Sequence, residues 1–299
     1  MVYTITFNPA VDYVVHLEDI KVGAVNRSTA EEISFGGKGI NVSMVLKELG
    51  IPSRALGFVA GFTGEAIENK VKEMGIETDF VRLKRGNSRI NVKIQSSQET
   101  ELNGQGPQID QPALEELFRK LDAVQDGDTV ILAGSIPDCL PSDIYEKILE
   151  QLSDRQIQAV VDATGELLLN VLKYKPFLVK PNHFELGEMF GVALRTREEI
   201  LEYAKKLQEM GARNVLVSMA EEGALLIDEE GESHIRAGYQ GTVKNSVGAG
   251  DSMVAGFLAG IRDGDYEYAL ELGTAAGGAT AFSDGLATWE KMKELLEQK

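Results

Sequence analysis

The sequence predicts an α/β protein: a mostly parallel central sheet with helices on both faces, plus a small β sheet attached as a lid. Three features carry that expectation. From about residue 110 onward, short β-rich runs alternate with helical patterns, the rhythm of βαβ units. The N-terminal third instead holds several strand-like runs separated by turns. The chain has 299 residues, 43% of them hydrophobic, ample for one large core.

In chain order, Met1-Val2-Tyr3-Thr4-Ile5-Thr6-Phe7 reads as a first strand. It lacks the basic region and apolar stretch of a signal peptide. Residues 11–17 and 31–35 read as strands, and 38–49 as a helix burying Ile40, Val42, Val45, Leu46 and Leu49. Residues 89–94 form another strand-like run. Strands that leave the main sheet and return define a discontinuous lid, about 11–35 and 88–104, within a single domain spanning 1–299. Next come a strand at 129–133 with a helix near 141–152, and a strand at 159–162 with a helix near 165–173. A helix at 196–210, with Leu201, Ala204, Leu207 and Met210 on its core face, precedes a strand at 214–218.

Thirty Lys and Arg against 47 Asp and Glu leave a net charge of -17. With no basic run, such a chain repels nucleic acid and anionic membranes. Any phosphate site must therefore be built locally, from a few cations and backbone N–H groups. The single cysteine, Cys139, allows no intramolecular disulfide, and His16, His183 and His234 lie far apart in sequence. Thiol catalysis and zinc are disfavoured. No apolar run approaches the ~20 residues that span a bilayer, and a cytoplasmic protein is expected.

The chemistry concentrates at Asn245-Ser246-Val247-Gly248-Ala249-Gly250-Asp251-Ser252, a polar turn leading into an apolar helical pattern. Unpaired N–H groups in a first helical turn attract an anion, and Gly248, Ala249 and Gly250 are small enough to let a phosphate approach. Asp251 beside them suits a proton acceptor in phosphoryl transfer. The alternative is an acidic residue that merely stabilises a helix start. Asn182 and Glu185 stand at i and i+3: a carboxylate positioning Mg2+, or a capping box. No Gly-x-x-x-x-Gly-Lys-Ser/Thr occurs, and Val42 replaces the third glycine of a dinucleotide fingerprint in Gly37-Lys38-Gly39-Ile40-Asn41-Val42.

Together, Thr6-Phe7-Asn8-Pro9-Ala10-Val11-Asp12, Gly36-Gly37-Lys38-Gly39-Ile40-Asn41-Val42, Gly134-Ser135-Ile136-Pro137, Lys180-Pro181-Asn182-His183-Phe184-Glu185 and the 248–251 stretch resemble the ribokinase-like carbohydrate kinases. Arg89-Ile90-Asn91-Val92-Lys93-Ile94 and Asn103-Gly104-Gln105-Gly106-Pro107 are similar to the branch acting on ketose phosphates, fructose 1-phosphate in particular. The resemblance implies ATP with Mg2+, a β lid, and homodimers paired through the lids. It implies that Asp251 takes the proton of the 6-hydroxyl while Gly248, Ala249 and Gly250 stabilise the transferring group. Asp12, Gly36, Gly37 and Asn41 are implied to face the sugar, and Arg27, Lys38 and Arg89 to suit its phosphate. Lys180, Asn182, Gly250 and the turn Ser218-Met219-Ala220-Glu221-Glu222-Gly223 are implied to hold the nucleotide, with Glu185 toward the metal. Relatives usually carry Gly where this chain has Ala220. The small residues Ala275, Ala276, Gly277, Gly278 and Ala279 serve either nucleotide contact or close helix packing. Tagatose 6-phosphate and fructose 6-phosphate are alternative acceptors. A non-catalytic sugar-phosphate sensor is disfavoured, because base and anion hole are both intact.

Overall fold

A computed structural model describes residues 1–298. The described residues form fourteen strands: β1 (Val2–Thr6), β2 (Ala10–His16), β3 (Ala30–Gly36), β4 (Ser53–Ala60), β5 (Glu77–Thr78), β6 (Val81–Leu83), β7 (Arg89–Gln95), β8 (Thr100–Asn103), β9 (Thr129–Ala133), β10 (Gln158–Asp162), β11 (Leu178–Val179), β12 (Asn214–Ser218), β13 (Ala224–Ile227) and β14 (Ser233–Arg236). Their ten α-helices are α1 (Lys38–Glu48), α2 (Gly61–Glu73), α3 (Gln111–Leu121), α4 (Ile144–Gln151), α5 (Gly165–Val171), α6 (His183–Met189), α7 (Arg197–Glu209), α8 (Ala249–Gly260), α9 (Tyr266–Ala281) and α10 (Trp289–Leu296).

The main sheet runs β14-β13-β12-β11-β10-β9-β1-β4-β5, with β6 also on β4. Pairing is parallel from β12 through to β5 and β6. Only β13 and β14 pair antiparallel. Alternation along each buried strand splits its side chains between two cores. Val130, Leu132, Val161, Val179 and Val215 pack with Leu117, Ile148, Leu168 and Leu207 of the helices on one face. Ile131, Val160, Leu178 and Leu216 pack with Val42 and Val45 of α1 and Val254 and Phe257 of α8 on the other.

After β1 the chain adds β4 on one side and β9 on the other. The connections therefore diverge beside β1 and open a crevice at the carboxyl ends of the strands, where sites in open α/β sheets form.

The second sheet, β3-β2-β7-β8, is separate. Register puts Tyr13 opposite both Ile33 and Val92, and Val92 opposite Leu102, so these four share one face. Asp12 lies opposite Ser34 and Asn91 on the other.

Two details differ from the sequence expectation. The buried stripe of α7 is Ile200, Ala204 and Leu207; Met210 caps the helix and is exposed, and Leu201 is half-buried. The helical period runs out one turn early because the chain leaves the core at Glu209. The 165–173 helix ends at Val171 and tightens into a 3-10 turn over Leu172–Tyr174, a common way to satisfy terminal carbonyls.

Candidate active site

Helix α8 starts at the crevice, with Gly248 as N-cap at φ +82°. That left-handed conformation favours glycine, and a Cβ there would also strike Leu286 at 2.6 Å. Ala249, Gly250 and Asp251 form the first turn. Asp251 is only 5% exposed, and its Oδ2 accepts a 2.8 Å hydrogen bond from Asn41 Nδ2. The carboxylate is thus directed across to α1 and does not cap its own helix. Burial pushes the Asp251 carboxyl up to about 6, and the negative charge of Asp162 adds to the rise; Asn41, Lys38 and Lys180 pull the other way.

Asp162, at the end of β10, is the residue that sequence reasoning missed. It is 1% exposed and pairs with both Lys38 Nζ at 3.3 Å and Lys180 Nζ at 3.4 Å through Oδ1. Burial would raise its pKa, but the Lys180 and Lys38 ammonium groups outweigh burial and hold the carboxyl below its ordinary range. Lys38 is held above its own range, since Asp162 and Asp251 outweigh desolvation. A carboxylate closing an otherwise apolar strand, Ala159-Val160-Val161-Asp162, was the available signal. Lys180 also touches the α8 terminus, because a Cβ on Gly250 would lie 3.0 Å from its Nζ.

The sugar-facing candidates converge on the same end. A Cβ on Gly36 would lie 3.0 Å from Asn41 Oδ1 and 3.9 Å from Asp12 Oδ2. Gly37 adopts φ +137° beside them. Asp12, Gly36 and Asn41 form the inner end of a cleft of about 810 Å³ that opens outward between β3 and α2. Arg89 is half-buried next to this group, donating from Nε to the Asn8 carbonyl at 3.0 Å. Desolvation lowers its pKa, which the Asp12 charge partly restores. Arg27 is not drawn in: it stands exposed on the connection between β2 and β3, with no hydrogen bond or ion pair among the described residues.

Asn182 and Ser218 meet in an isolated parallel bridge, joining the two nucleotide candidates. Asn182 and Glu185 form a reciprocal capping box on α6, at 2.9 and 2.8 Å, which engages Glu185 Oε2. The Met219 side chain is buried in the core, so only its backbone borders the turn. Glu221 and Glu222 are exposed. Ala220 sits at φ +51°, which explains why glycine suits that position. The small residues of α9 pack on α8: a Cβ on Gly277 would lie 3.3 Å from the Ala249 carbonyl, which is helix packing.

No group of three or more His, Cys, Asp or Glu is placed to hold a metal ion among the described residues. Buried Asp162 Oδ2 has no partner. Two separated carboxylates, Asp162 and Glu185, fit a Mg2+ that keeps most of its water and phosphate ligands.

A doubly wound α/β body, a four-stranded side sheet and an anion-ready helix start beside a buried carboxylate define a phosphotransferase of the sugar kinase type. The chain belongs to the pfkB family of carbohydrate kinases, whose model it matches over residues 5–292. It is 50% identical to the 1-phosphofructokinase of Bacillus subtilis (strain 168), covering 100% of this chain and 98% of that one. It is 37% identical to the D-tagatose-1-phosphate kinase of Bacillus licheniformis, over 100% and 98%. Its fold also matches Arabidopsis thaliana ribokinase complexed with ribose and ATP, with TM-score 0.78, 19% identity, and coverage of 100% and 99%. The fold is ribokinase-like.

Proposed function

We propose that this enzyme transfers the γ-phosphoryl group of ATP to the 6-hydroxyl of D-fructose 1-phosphate, giving fructose 1,6-bisphosphate and ADP. The observation that carries the reading is Asp251: a buried carboxylate with a raised pKa, in the first turn of α8 and beside two lysines. Its position supports accepting the 6-hydroxyl proton as the O–P bond forms. In a loose transition state, orienting that hydroxyl matters more than basicity. The Ala249 N–H is bonded to the Ser246 carbonyl at 3.2 Å, so the backbone N–H groups of Gly248 and Gly250 and the α8 dipole would hold the equatorial oxygens, with Lys180 alongside.

Asp12 and Asn41 would bind sugar hydroxyls, and Arg89 and Lys38 the acceptor's charge. Glu185 and Asp162 would hold Mg2+ through its waters, and the ion supplies neutralisation of the β- and γ-phosphate charge. The turn 218–223 with Asn182 would carry the nucleotide. The small sheet would then act as the lid, and its apolar face supports a homodimer. Ile33 and Leu102 on that face are 60% and 59% exposed, and Val22 and Val25 on the adjoining connection 96% and 84%. Such a patch calls for a partner, and a second copy offers the same patch.

The 37% identity to a D-tagatose-1-phosphate kinase favours a second reading, the same reaction on tagatose 1-phosphate. A coupled ADP-release assay with fructose 1-phosphate, tagatose 1-phosphate, fructose 6-phosphate and tagatose 6-phosphate tests both. The highest kcat/KM is expected for fructose 1-phosphate. Preference for a 6-phosphate, or ligand binding without ADP release, would overturn the reading.

A further inference from the structure

Asp12 is not free to choose its orientation. Its Oδ1 accepts a 2.8 Å hydrogen bond from Asn91 Nδ2, leaving Oδ2 on the side of Gly36 and Asn41. Asn91 belongs to β7, is 7% exposed, and accepts at its own Oδ1 from the Gly104 N–H at 3.2 Å. A carboxylate can only accept and a backbone N–H can only donate, so one amide orientation alone satisfies both neighbours.

The segment after β8 is built for this contact. Gly104 lies so close to β7 that a Cβ would meet the Ile90 carbonyl at 2.7 Å. Gln105 accepts through its carbonyl from Asn8 Nδ2 at 2.8 Å, and a Cβ on Gly106 would clash with Asn8 Oδ1. Asn8 in turn receives Arg89 on its carbonyl. Residues 104–106 thus strap the base of the small sheet to the β1–β2 connection that carries Asn8.

We propose that Asn91 is a positioning residue for the acceptor sugar. It locks the Asp12 carboxylate so that Oδ2 faces the gap opposite Asn41, and it ties that orientation to the 104–106 strap. The polar chain then runs from Gly104 through Asn91 to Asp12, resumes at Asn41, and ends on Asp251. Two sugar hydroxyls, one donating to Asp12 Oδ2 and one to Asn41 Oδ1, fill the interruption between these two acceptors. Asn91 touches neither the nucleotide candidates nor the α8 start, so its effect falls on sugar binding and not on the transfer step. The proposal rests on the reading of Asp12 as a sugar contact.

Steady-state kinetics of Asn91→Ala, Asn91→Asp, Asp12→Ala and the Asp12→Ala/Asn91→Ala pair test it, with fructose 1-phosphate and ATP each varied at about pH 8, where free carboxyls are ionised. Asn91→Asp keeps the shape and the acceptor for Gly104 but sets a carboxylate against Asp12, so a mere packing role tolerates it. Both Asn91 substitutions are expected to raise the sugar KM about tenfold, with kcat within about twofold and an unchanged ATP KM. The pair is expected to be no worse than Asp12→Ala, as for residues acting through one another. A wild-type sugar KM in Asn91→Asp, or additive effects in the pair, would overturn the positioning role while leaving Asp12 a sugar contact. A wild-type sugar KM in Asp12→Ala would overturn both. If Asn91→Ala lowers the melting temperature sharply, the isosteric Asn91→Asp decides.

Discussion

The charges at the crevice are arranged at cross purposes with stability. Two buried carboxylates, Asp162 and Asp251, share a small volume with two lysines. The cations pair with Asp162, so Asp251 bears the burial cost, and its pKa rises from 3.8 to about 6. Asp251→Asn is therefore expected to lose about 10²- to 10⁴-fold in turnover, the range of general base catalysis, measured by coupled ADP release. The same substitution is expected to raise the melting temperature. A raised folded-state pKa costs nothing below the unfolded value near 4, and the full amount, on the order of 3 kcal/mol, above about 6. The stability gain should thus be present at pH 7 and shrink as pH falls toward 4. For the unsubstituted enzyme, kcat/KM with fructose 1-phosphate should fall as pH drops through about 6, where Asp251 becomes protonated. Unchanged turnover in Asp251→Asn would remove the proton-acceptor role.

Turns and helix ends, more than whole strands, hold the candidate groups. The 218–223 turn places Ala220 at φ +51°, where an L side chain costs roughly 1–2 kcal/mol. Ala220→Gly relieves that strain and adds some unfolded-state entropy. A net gain of about 1 kcal/mol is expected, read as a higher melting temperature with ATP KM close to wild type. A loss of stability would mean that the unfolded-state entropy of glycine outweighs the strain relieved at this turn. The α8–α9 seam follows the opposite logic. A Cβ on Gly256 would lie 2.6 Å from the Leu272 carbonyl, so glycine lets the helix that starts at the anion site sit tight on its neighbour.

For the molecule as a whole, the question is what covers the apolar face of the small sheet. A Leu102→Lys/Ile33→Glu variant is expected to sediment as a monomer where the unsubstituted chain sediments as a dimer; a monomer in both would end the dimer reading. Sequence by itself determined the mostly parallel sheet, the helices at α1, α4, α5 and α7 and the helix start at Gly248-Ala249-Gly250-Asp251, but not α2, α3 or α10. Those rest on local quantities: hydrophobic period, turn residues and the small side chains that an anion site needs. It also brought Asp12, Asn41, Lys38 and Lys180 forward as separate candidates. It did not show that Lys38 and Lys180 meet on one carboxylate, Asp162. Asp162 read as the end of an apolar strand, and Asn91 as one polar residue in a strand. Met210 read as core because periodicity carries no information about where a helix leaves its partner. Which carboxylate receives the two lysines, and which is left with a raised pKa, depends on contacts between groups 18 to 210 residues apart: Lys180 with Asp162 at the short end, Asn41 with Asp251 at the long one. Those separations are closed by the pairing of parallel strands and by α1 and α8 meeting on one face of the sheet, so the tertiary structure alone decided it.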